Sequence, residues 1–179
     1  MPETSAPLAP KTVTAALLII GNEILSGRTR DANLQFLALE LNKLGVRMVE
    51  CRVVPDIEKT IVDTLNEMRR KFDYVFTTGG IGPTHDDITA DCIAKAFGVG
   101  ISEHPEAVAR MTKHYGDPAL FTPARRRMAR VPHGGTLVDN PVSVAPGFQM
   151  ENVFTFAGIP AVMQAMFHSM KHQIGRAHV

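Results

Sequence analysis

The sequence has few cysteines, little net charge and no long apolar run, and each shortage excludes a class of protein. The spacing of its two cysteines, Cys51 and Cys92, is typical of neither a disulfide framework nor a metal knuckle. We therefore expect both to be buried thiols in a reducing, cytoplasmic compartment. The most apolar run, residues 15–20, is far too short to cross a bilayer. A net charge of +1, with no basic block except residues 125–127, makes nucleic acid a poor candidate partner.

Strand-like and helix-like patterns alternate along the first half of the chain. Apolar runs at residues 13–20, 46–54 and 74–76 predict buried strands, and a segment with helical spacing follows each one. Asp31 is the predicted N-cap of the first helix, and Asp56 opens the second. Three strand–helix units in succession predict an α/β fold: a three-layer sandwich in which helices cover both faces of a mostly parallel sheet.

The second half predicts shorter elements. These are helices at residues 105–115 and 123–129, strands at 136–138, 147–150 and 153–156 with the last two forming a β-hairpin, and a final helix from Pro160. Apolar residues on one side of that helix, Met163, Met166, Phe167 and Met170, are typical of core packing. We expect residues 12–174 to form one domain, between a disordered tail at 1–11 and a frayed C-terminus at 175–179.

The chain is organised around a glycine-rich loop between the third predicted strand and its helix. Residues 77–91 read Thr-Thr-Gly-Gly-Ile-Gly-Pro-Thr-His-Asp-Asp-Ile-Thr-Ala-Asp. Ligands of open α/β sheets bind at such connections, and glycines let a phosphate approach the backbone. Asp86 and Asp87 would repel a bare phosphate, so the pair predicts Mg²⁺ or another divalent cation between acid and anion. The alternative is a tight turn in which one aspartate, or Thr89, caps the helix.

Two further carboxylates are candidates for the same site. Glu23 lies in a glycine-bounded loop after the first strand, which favours a functional role. Asp56 follows the second strand, and a role in satisfying the free N–H groups of the next helix is equally compatible with its position. We expect His85 to be solvated or to face phosphate, and residues 125–127 to form a solvated basic face.

Five ordered motifs carry a resemblance to a known family. They are residues 21–27 with Asn33, residues 54–56, residues 77–91, residues 140–141 with 145–148, and residues 158–160. Over about residues 15–170 the chain resembles the molybdopterin-binding domains of the MoaB/Mog type, and most closely the N-terminal domains of CinA-type (competence/damage-inducible) proteins. It departs from the pattern at Asn22, where the family usually has Asp or Thr.

The resemblance implies a three-layer fold, often trimeric, that binds a pterin or nucleotide with Mg²⁺. It implies catalytic roles for Asp87 and Asp56 and metal binding by Asp86 and Asp87. The ligand-binding positions that match its motifs are Gly21, Glu23, Ser26, Gly27, Asn33, Thr78, Gly79, Gly80, Gly82, Pro83, Thr84, Thr89, Asn140, Pro141, Pro146, Gly147, Gly158 and Pro160. For a trimer, the methionine and phenylalanine face of the last helix and the apolar residues near Leu120 and Phe121 are candidate contact surfaces.

Three functions remain open. The first is a molybdopterin or pterin-nucleotide binding domain of molybdenum cofactor biosynthesis, with Mg²⁺-dependent chemistry at a phosphate or phosphoanhydride. The second is a metal-dependent nucleotide pyrophosphatase acting on ADP-ribose or FAD, and the third is a non-catalytic binding domain. The first two predict an enzyme, adenylyltransferase-like or pyrophosphatase-like. All three predict a small-molecule ligand and neither a nucleic acid nor a membrane partner, and no aromatic clamp specifies the base or pterin.

Overall fold

The computed structural model describes residues 9–175, so most of the predicted N-terminal tail and of the predicted frayed C-terminus lies outside the described residues. The strands are β1 (Val13–Ile20), β2 (Val46–Val54), β3 (Tyr74–Thr78), β4 (Ile101–Glu103), β5 (Arg130–Pro132), β6 (Thr136–Val138), β7 (Gly147–Met150) and β8 (Val153–Phe156). The α-helices are α1 (Asn22–Leu25), α2 (Asn33–Lys43), α3 (Glu58–Lys71), α4 (Thr89–Phe97), α5 (Pro105–Tyr115), α6 (Pro123–Arg126) and α7 (Pro160–Met170), and short 3₁₀ turns follow α6 (Arg127–Ala129) and α7 (Lys171–Gln173).

The central sheet has the order β2-β1-β3-β8-β7-β6. Its β2, β1, β3 and β8 strands are mutually parallel, while β7 and β6 add antiparallel pairings at one side. Helices α2 and α7 cover one face, and α3 and α4 cover the other. The predicted three-layer α/β fold with a mostly parallel sheet, and the predicted β7–β8 hairpin within it, are confirmed.

The first strand shows why the sheet is buried on both sides. Its sequence is apolar throughout from Ala15, and a strand points successive side chains to opposite faces. Leu17 and Ile19 therefore pack into the core under α2 and α7, whereas Leu18 and Ile20 pack into the core under α3 and α4. A single run of small and branched apolar residues thus joins the two main cores.

The apolar side of α7 lies inside the first of these cores. Met163 and Phe167 have no exposed surface, and Met166 and Met170 are 1% exposed. The expectation of core packing is confirmed, and the alternative expectation that this face contacts a second copy of the chain is wrong, because it is already covered by the sheet. At the other predicted contact surface Phe121 is buried, but Leu120 is 50% exposed, so a contact through Leu120 stays a prediction. The trimer itself stays a prediction.

A small lobe between α4 and β6 has a third core of its own. Ala107, Met111, Phe121 and Ala129 pack together there. The strands β4 and β5, which the sequence did not predict, pair antiparallel at its base. Arg130 of β5 forms two hydrogen bonds, of 3.2 and 2.6 Å, to the carboxylate of Asp91 on α4. This ion pair fastens the lobe beside the helix that follows the glycine-rich loop.

Both cysteines are free thiols that their surroundings keep protonated. Burial raises the pKa of Cys51 to about 11 and that of Cys92 to about 12. Cys92 is buried as expected, but Cys51 is only half-buried on β2. Neither is a reactive thiolate at neutral pH. Among the described residues, no helix has both the length and the apolar character to cross a membrane.

Asp73 stabilises the start of the sheet far from the loops that bind ligands in this fold class. Its Oδ2 accepts hydrogen bonds from the backbone N–H of Thr14 at 2.9 Å and from the Thr14 hydroxyl at 3.0 Å, and Lys11 Nζ lies 3.2 Å from Oδ1. These hydrogen bonds lower the pKa of Asp73, and the bond from the Thr14 N–H has the largest effect. Since the folded-state pKa is the lower one, the stabilisation is complete above the unfolded pKa of about 3.9 and is lost as the pH falls through the folded-state pKa.

We expect Asp73→Asn to lower the free energy of unfolding by about 1–2 kcal/mol at neutral pH, since charge-assisted bonds are replaced by weaker ones. Urea unfolding of the variant and the parent at neutral pH and at about pH 3 measures this change. The difference in the free energy of unfolding between variant and parent should be smaller at the lower pH. Asp63→Asn is the control, because its ion pair with Lys59 is exposed and contributes little. A gap that stays constant with pH would show that the Asp73 carboxylate is not the stabilising group.

Candidate functional site

The loops that follow β1, β2, β3 and β8 meet at one edge of the sheet. The strands end level with one another, since Thr78 pairs with both Ile19 and Phe156, and Ile20 pairs with Val54. Backbone hydrogen bonds continue past the strand ends, with the N–H of Gly79 donating to Phe156 O at 3.2 Å. The sheet therefore brings together motifs that lie far apart in the sequence, and it does so at the edge where open α/β sheets bind ligands.

Two glycines let the glycine-rich loop pass close to its neighbours. Gly79 (φ +95°) leaves no room for a side chain, because a Cβ would lie 2.2 Å from the carbonyl oxygen of Ile20. Gly80 (φ +71°) would place a Cβ 2.0 Å from the Thr89 hydroxyl. That hydroxyl donates to Gly79 O at 2.9 Å, and the Thr89 N–H donates to Gly80 O at 3.0 Å. The start of α4 thus fixes the loop through Thr89.

Asp87 organises the loop rather than capping the helix. Its Oδ2 accepts hydrogen bonds from the backbone N–H of Thr84 at 2.9 Å and from the Thr84 hydroxyl at 2.8 Å. Its other oxygen, Oδ1, has no hydrogen-bond donor among residues 9–175. No side chain caps α4, so the capping alternative does not describe either aspartate. Asp86 is exposed, and its Oδ1 lies 3.3 Å from Nε2 of His85.

Asp56 links two of the loops at this edge. The α3 helix begins at Glu58, two residues later than predicted, and Asp56 does not bind its free N–H groups. Its Oδ2 instead accepts a hydrogen bond of 3.0 Å from the backbone N–H of Asn22, whose Oδ1 accepts one of 3.4 Å from the Asp56 N–H. The carboxylate of Glu23 lies over Gly21, where a Cβ would meet it within 2.7 Å. Both acids therefore sit where the sheet ends.

Two cavities share this edge and meet at the glycine-rich loop. The first, of about 410 Å³, is polar and contains the side chains of Glu23, Asp56, Asp86 and Asp87, with Arg28, Thr84 and His85 also in its lining. The second, of about 510 Å³, is mostly apolar and is lined by Ile81, Met128, Ile159, Val162 and Met166 together with Asn140 and Ser143. Glu23, Gly80 and Asp87 line both cavities. Such volumes suit small-molecule ligands.

The structure places the predicted ligand-binding residues in three groups. Several line one or both cavities: Glu23, Gly79, Gly80, Gly82, Pro83, Thr84, Asn140, Gly158 and Pro160. Others hold the loops from behind or border smaller spaces: Gly21, Asn33, Thr78, Thr89, Pro146 and Gly147. The remaining ones, Ser26, Gly27 and Pro141, are exposed and line none of the cavities among the described residues.

Loop positioning explains several residues of the second group. Asn33 at the start of α2 is 4% exposed and donates from Nδ2 to Gly158 O at 2.9 Å. Asp31 accepts hydrogen bonds from the first N–H groups of that helix, as expected of a cap. Asn140 folds its own loop by donating to Ser143 Oγ and to Ala145 O, each at 2.8 Å. The cavity walls are therefore held by buried amide side chains.

The sequence did not predict that the small lobe contributes to the wall of the apolar cavity. Met128 lines the apolar cavity, and Arg127 borders the glycine-rich loop next to it. The basic run at residues 125–127 was the one available signal, and it predicted a solvated face. Arg125 and Arg126 are indeed engaged at the lobe surface, but Arg127 turns toward the loop.

The donor set fits a divalent cation that is held jointly with an anionic ligand. Four carboxylates line the polar cavity, and hard cations prefer such oxygens. Within residues 9–175, however, no three His, Cys, Asp or Glu side chains converge closely enough to hold an ion by themselves. Mg²⁺ commonly binds through one or two carboxylates plus ligand phosphates. The open Oδ1 of Asp87 and the carboxylate of Glu23 are the oxygens suited to that mode.

Comparisons with known proteins find similarity over almost the whole chain. A profile described as a probable molybdopterin binding domain matches residues 16–176. A curated protein from Pyrobaculum calidifontis is 38% identical over 159 residues, which cover 86% of this chain and 61% of that protein. A CinA-like protein from Thermosynechococcus vestitus is 33% identical over 165 residues, covering 87% of this chain and 39% of that protein. The chain thus spans less than two thirds of these relatives.

Solved structures also resemble this chain over most of its length. The protein CinA of unknown function from Thermoplasma acidophilum has a TM-score of 0.84 at 32% identity, covering 92% of this chain and 99% of that one. The tungsten cofactor synthesizing protein MoaB from Pyrococcus furiosus has a TM-score of 0.58 at 21% identity, covering 93% and 94%. The second likeness shows a shared fold alone.

Proposed function

The chain belongs to the family of probable molybdopterin binding domains, as its motifs predicted, and has CinA-like relatives; from this we propose that it binds a phosphorylated pterin or nucleotide across the two joined cavities. The observation that carries the proposal is the contact between a mostly apolar cavity and a carboxylate-lined one at the glycine-rich loop. A ligand with a flat heterocycle at one end and phosphate at the other matches both parts.

The apolar cavity receives the heterocycle. Ile81 and Met128, which are partly exposed, and Ile159, which is 66% exposed, offer apolar contacts to a ligand, and a methionine side chain adapts to flat rings. The neighbouring Asn140 and Ser143 supply polar atoms at the rim, which orient a ring whose edge carries donors and acceptors. None of these residues is an aromatic clamp, so recognition depends on shape and on the ring edge.

The phosphate end lies on the backbone of the glycine-rich loop. Gly80 and Gly82 expose main chain there, and Asp87 and Glu23 stand beside it in the polar cavity. A bound Mg²⁺ would offset the negative charge of the phosphate and of any developing transition state. The Thr84 hydrogen bonds hold Asp87 in place, so the carboxylate needs little rearrangement to accept the cation. We further propose a cytoplasmic location, which two free thiols suit.

Calorimetric titration with molybdopterin, ADP-ribose and FAD, with and without Mg²⁺, tests the proposal. We expect at least one of these to bind, and EDTA to weaken binding about tenfold or more, because carboxylates and phosphate repel one another without a cation. Ribose 5-phosphate is the matched control: it has the phosphate but no heterocycle and should bind much more weakly. If no phosphorylated heterocycle binds under either condition, the proposal is wrong.

A second candidate function is hydrolysis of the phosphoanhydride in ADP-ribose or FAD. One observation favours it: the polar cavity beside the glycine-rich loop offers carboxylates that could orient water. In this reaction water attacks one phosphorus, the bridging P–O bond breaks, and ADP-ribose gives AMP and ribose 5-phosphate. Product analysis after incubation with Mg²⁺ separates the candidates. Binding without product identifies the cofactor-type or non-catalytic domain.

A further inference from the structure

Arg127 differs from the other arginines of the small lobe in having no hydrogen-bond or ion-pair partner among the described residues. The neighbouring arginines are all held by acceptors: Arg125 by Leu120 O, Arg126 by Glu103 and Arg130 by Asp91. Arg127 Nε is buried and has no hydrogen-bond acceptor among residues 9–175, and no carboxylate in that range lies within 4.0 Å of its guanidinium. A buried, unpaired guanidinium N–H is unfavourable, so stability alone does not explain this side chain.

The surroundings of Arg127 point to an anion. It lines a space of about 20 Å³ together with Gly80, Gly82 and Asp87, which is large enough for a single oxygen atom of water or of a ligand. Met128, the next residue, lines the apolar cavity. Arg130 lines the same space but is paired with Asp91, so Arg127 is the arginine beside these glycines that has no acceptor among the described residues.

We propose that Arg127 binds an anionic oxygen of the ligand directly, as a second, metal-independent anchor on the glycine-rich loop; this rests on the proposed function. A guanidinium presents N–H donors in a planar fork that matches phosphate. The loop then lies between two means of balancing phosphate charge, a cation held with Asp87 on one side and Arg127 on the other. Ligands with phosphate are selected over uncharged pterins or nucleosides even when no metal is bound.

Inorganic pyrophosphate in EDTA is the probe that isolates this anchor. We expect the parent to bind it, Arg127→Gln to lower the affinity about tenfold or more whether or not Mg²⁺ is added, and Arg127→Lys to recover part of the loss because it keeps the charge without the fork. Arg126→Gln is the matched control, since that side chain pairs with Glu103, and it should bind as the parent does. Arg127→Gln should melt at the same temperature as the parent or higher, because the buried Nε–H that has no acceptor among the described residues has been removed.

Three results would overturn the proposal. They are parent-like pyrophosphate affinity in Arg127→Gln, absence of pyrophosphate binding by the parent at millimolar concentration, and a lower melting temperature of Arg127→Gln with unchanged affinity, which identifies a structural role. None of them decides the proposed function. That function fails only if the parent binds no phosphorylated heterocycle with Mg²⁺, so the two failures are distinguishable.

Discussion

Asp87→Asn is expected to abolish Mg²⁺-dependent ligand binding while leaving the fold intact. The amide keeps an oxygen that can accept from Thr84, so we expect stability to fall by about 1 kcal/mol or less. It cannot supply the charge that holds a hard dication against a phosphate, and affinity in the presence of Mg²⁺ should drop by roughly 100-fold. Titration with ADP-ribose or molybdopterin measures the affinity, and thermal melts of the same samples check the fold.

Asp86→Asn is the control beside it in the sequence. The Asp86 side chain is 79% exposed, and among the described residues its one ionisable contact is His85, at 3.3 Å, so we expect a much smaller loss. The reverse order, with Asp86→Asn the more damaging, would transfer the metal-binding role to Asp86. Parent-like binding by both variants would remove the metal site from the proposal.

Gly79→Ala is expected to be the most destabilising single methyl addition in the site. Its Cβ would lie 2.2 Å from the carbonyl oxygen of Ile20, a backbone atom that is fixed in the sheet and cannot move aside. Left-handed backbone strain of about 1–2 kcal/mol adds to an overpacking cost of about 1–3 kcal/mol. We therefore expect the free energy of unfolding to fall by roughly 2–5 kcal/mol in urea titrations, together with loss of ligand binding.

Gly98→Ala separates the two contributions. Gly98 ends α4 at φ +66°, and a Cβ there meets no atom within 4 Å. This variant carries the backbone strain without the collision, and about 1 kcal/mol is its expected cost. Equal losses in the two variants would show that the close approach of Gly79 to β1 does not determine the conformation of the loop.

The parallel sheet and the glycine-rich loop could be predicted from the sequence because short local patterns specify them. The continuous apolar run of β1 and the glycines after β3 each specify an element within a few residues. The parallel order then brings the loops to one edge without further information. Pro105 and Pro160 likewise marked the starts of α5 and α7 at the positions where the structure begins these helices.

The errors arose where contacts between distant segments decide the structure. Asp56 stands just ahead of a helix, and the sequence left open whether it binds the N–H groups of that helix; its carboxylate instead accepts a hydrogen bond from the N–H of Asn22 in another loop. The strand β4 has three residues, two of them exposed, so no alternation could reveal it. Arg127 sits in an ordinary basic run, and its lack of a partner follows from the placement of its neighbours' acceptors, which only the folded chain shows.

The antiparallel pairing of β4 with β5 has an evolutionary consequence. Ile101 lies opposite Pro132, and Glu103 opposite Arg130, so the chain leaves the α/β body and returns to it through adjacent strands. A segment whose two ends are neighbours tolerates insertion, deletion or replacement with little disturbance to its host. Because that segment carries Met128 into the apolar cavity, a lineage can exchange this part of the cavity wall while the glycine-rich loop and the sheet are inherited unchanged. Under the proposed function, such an exchange would change which heterocycle is accepted.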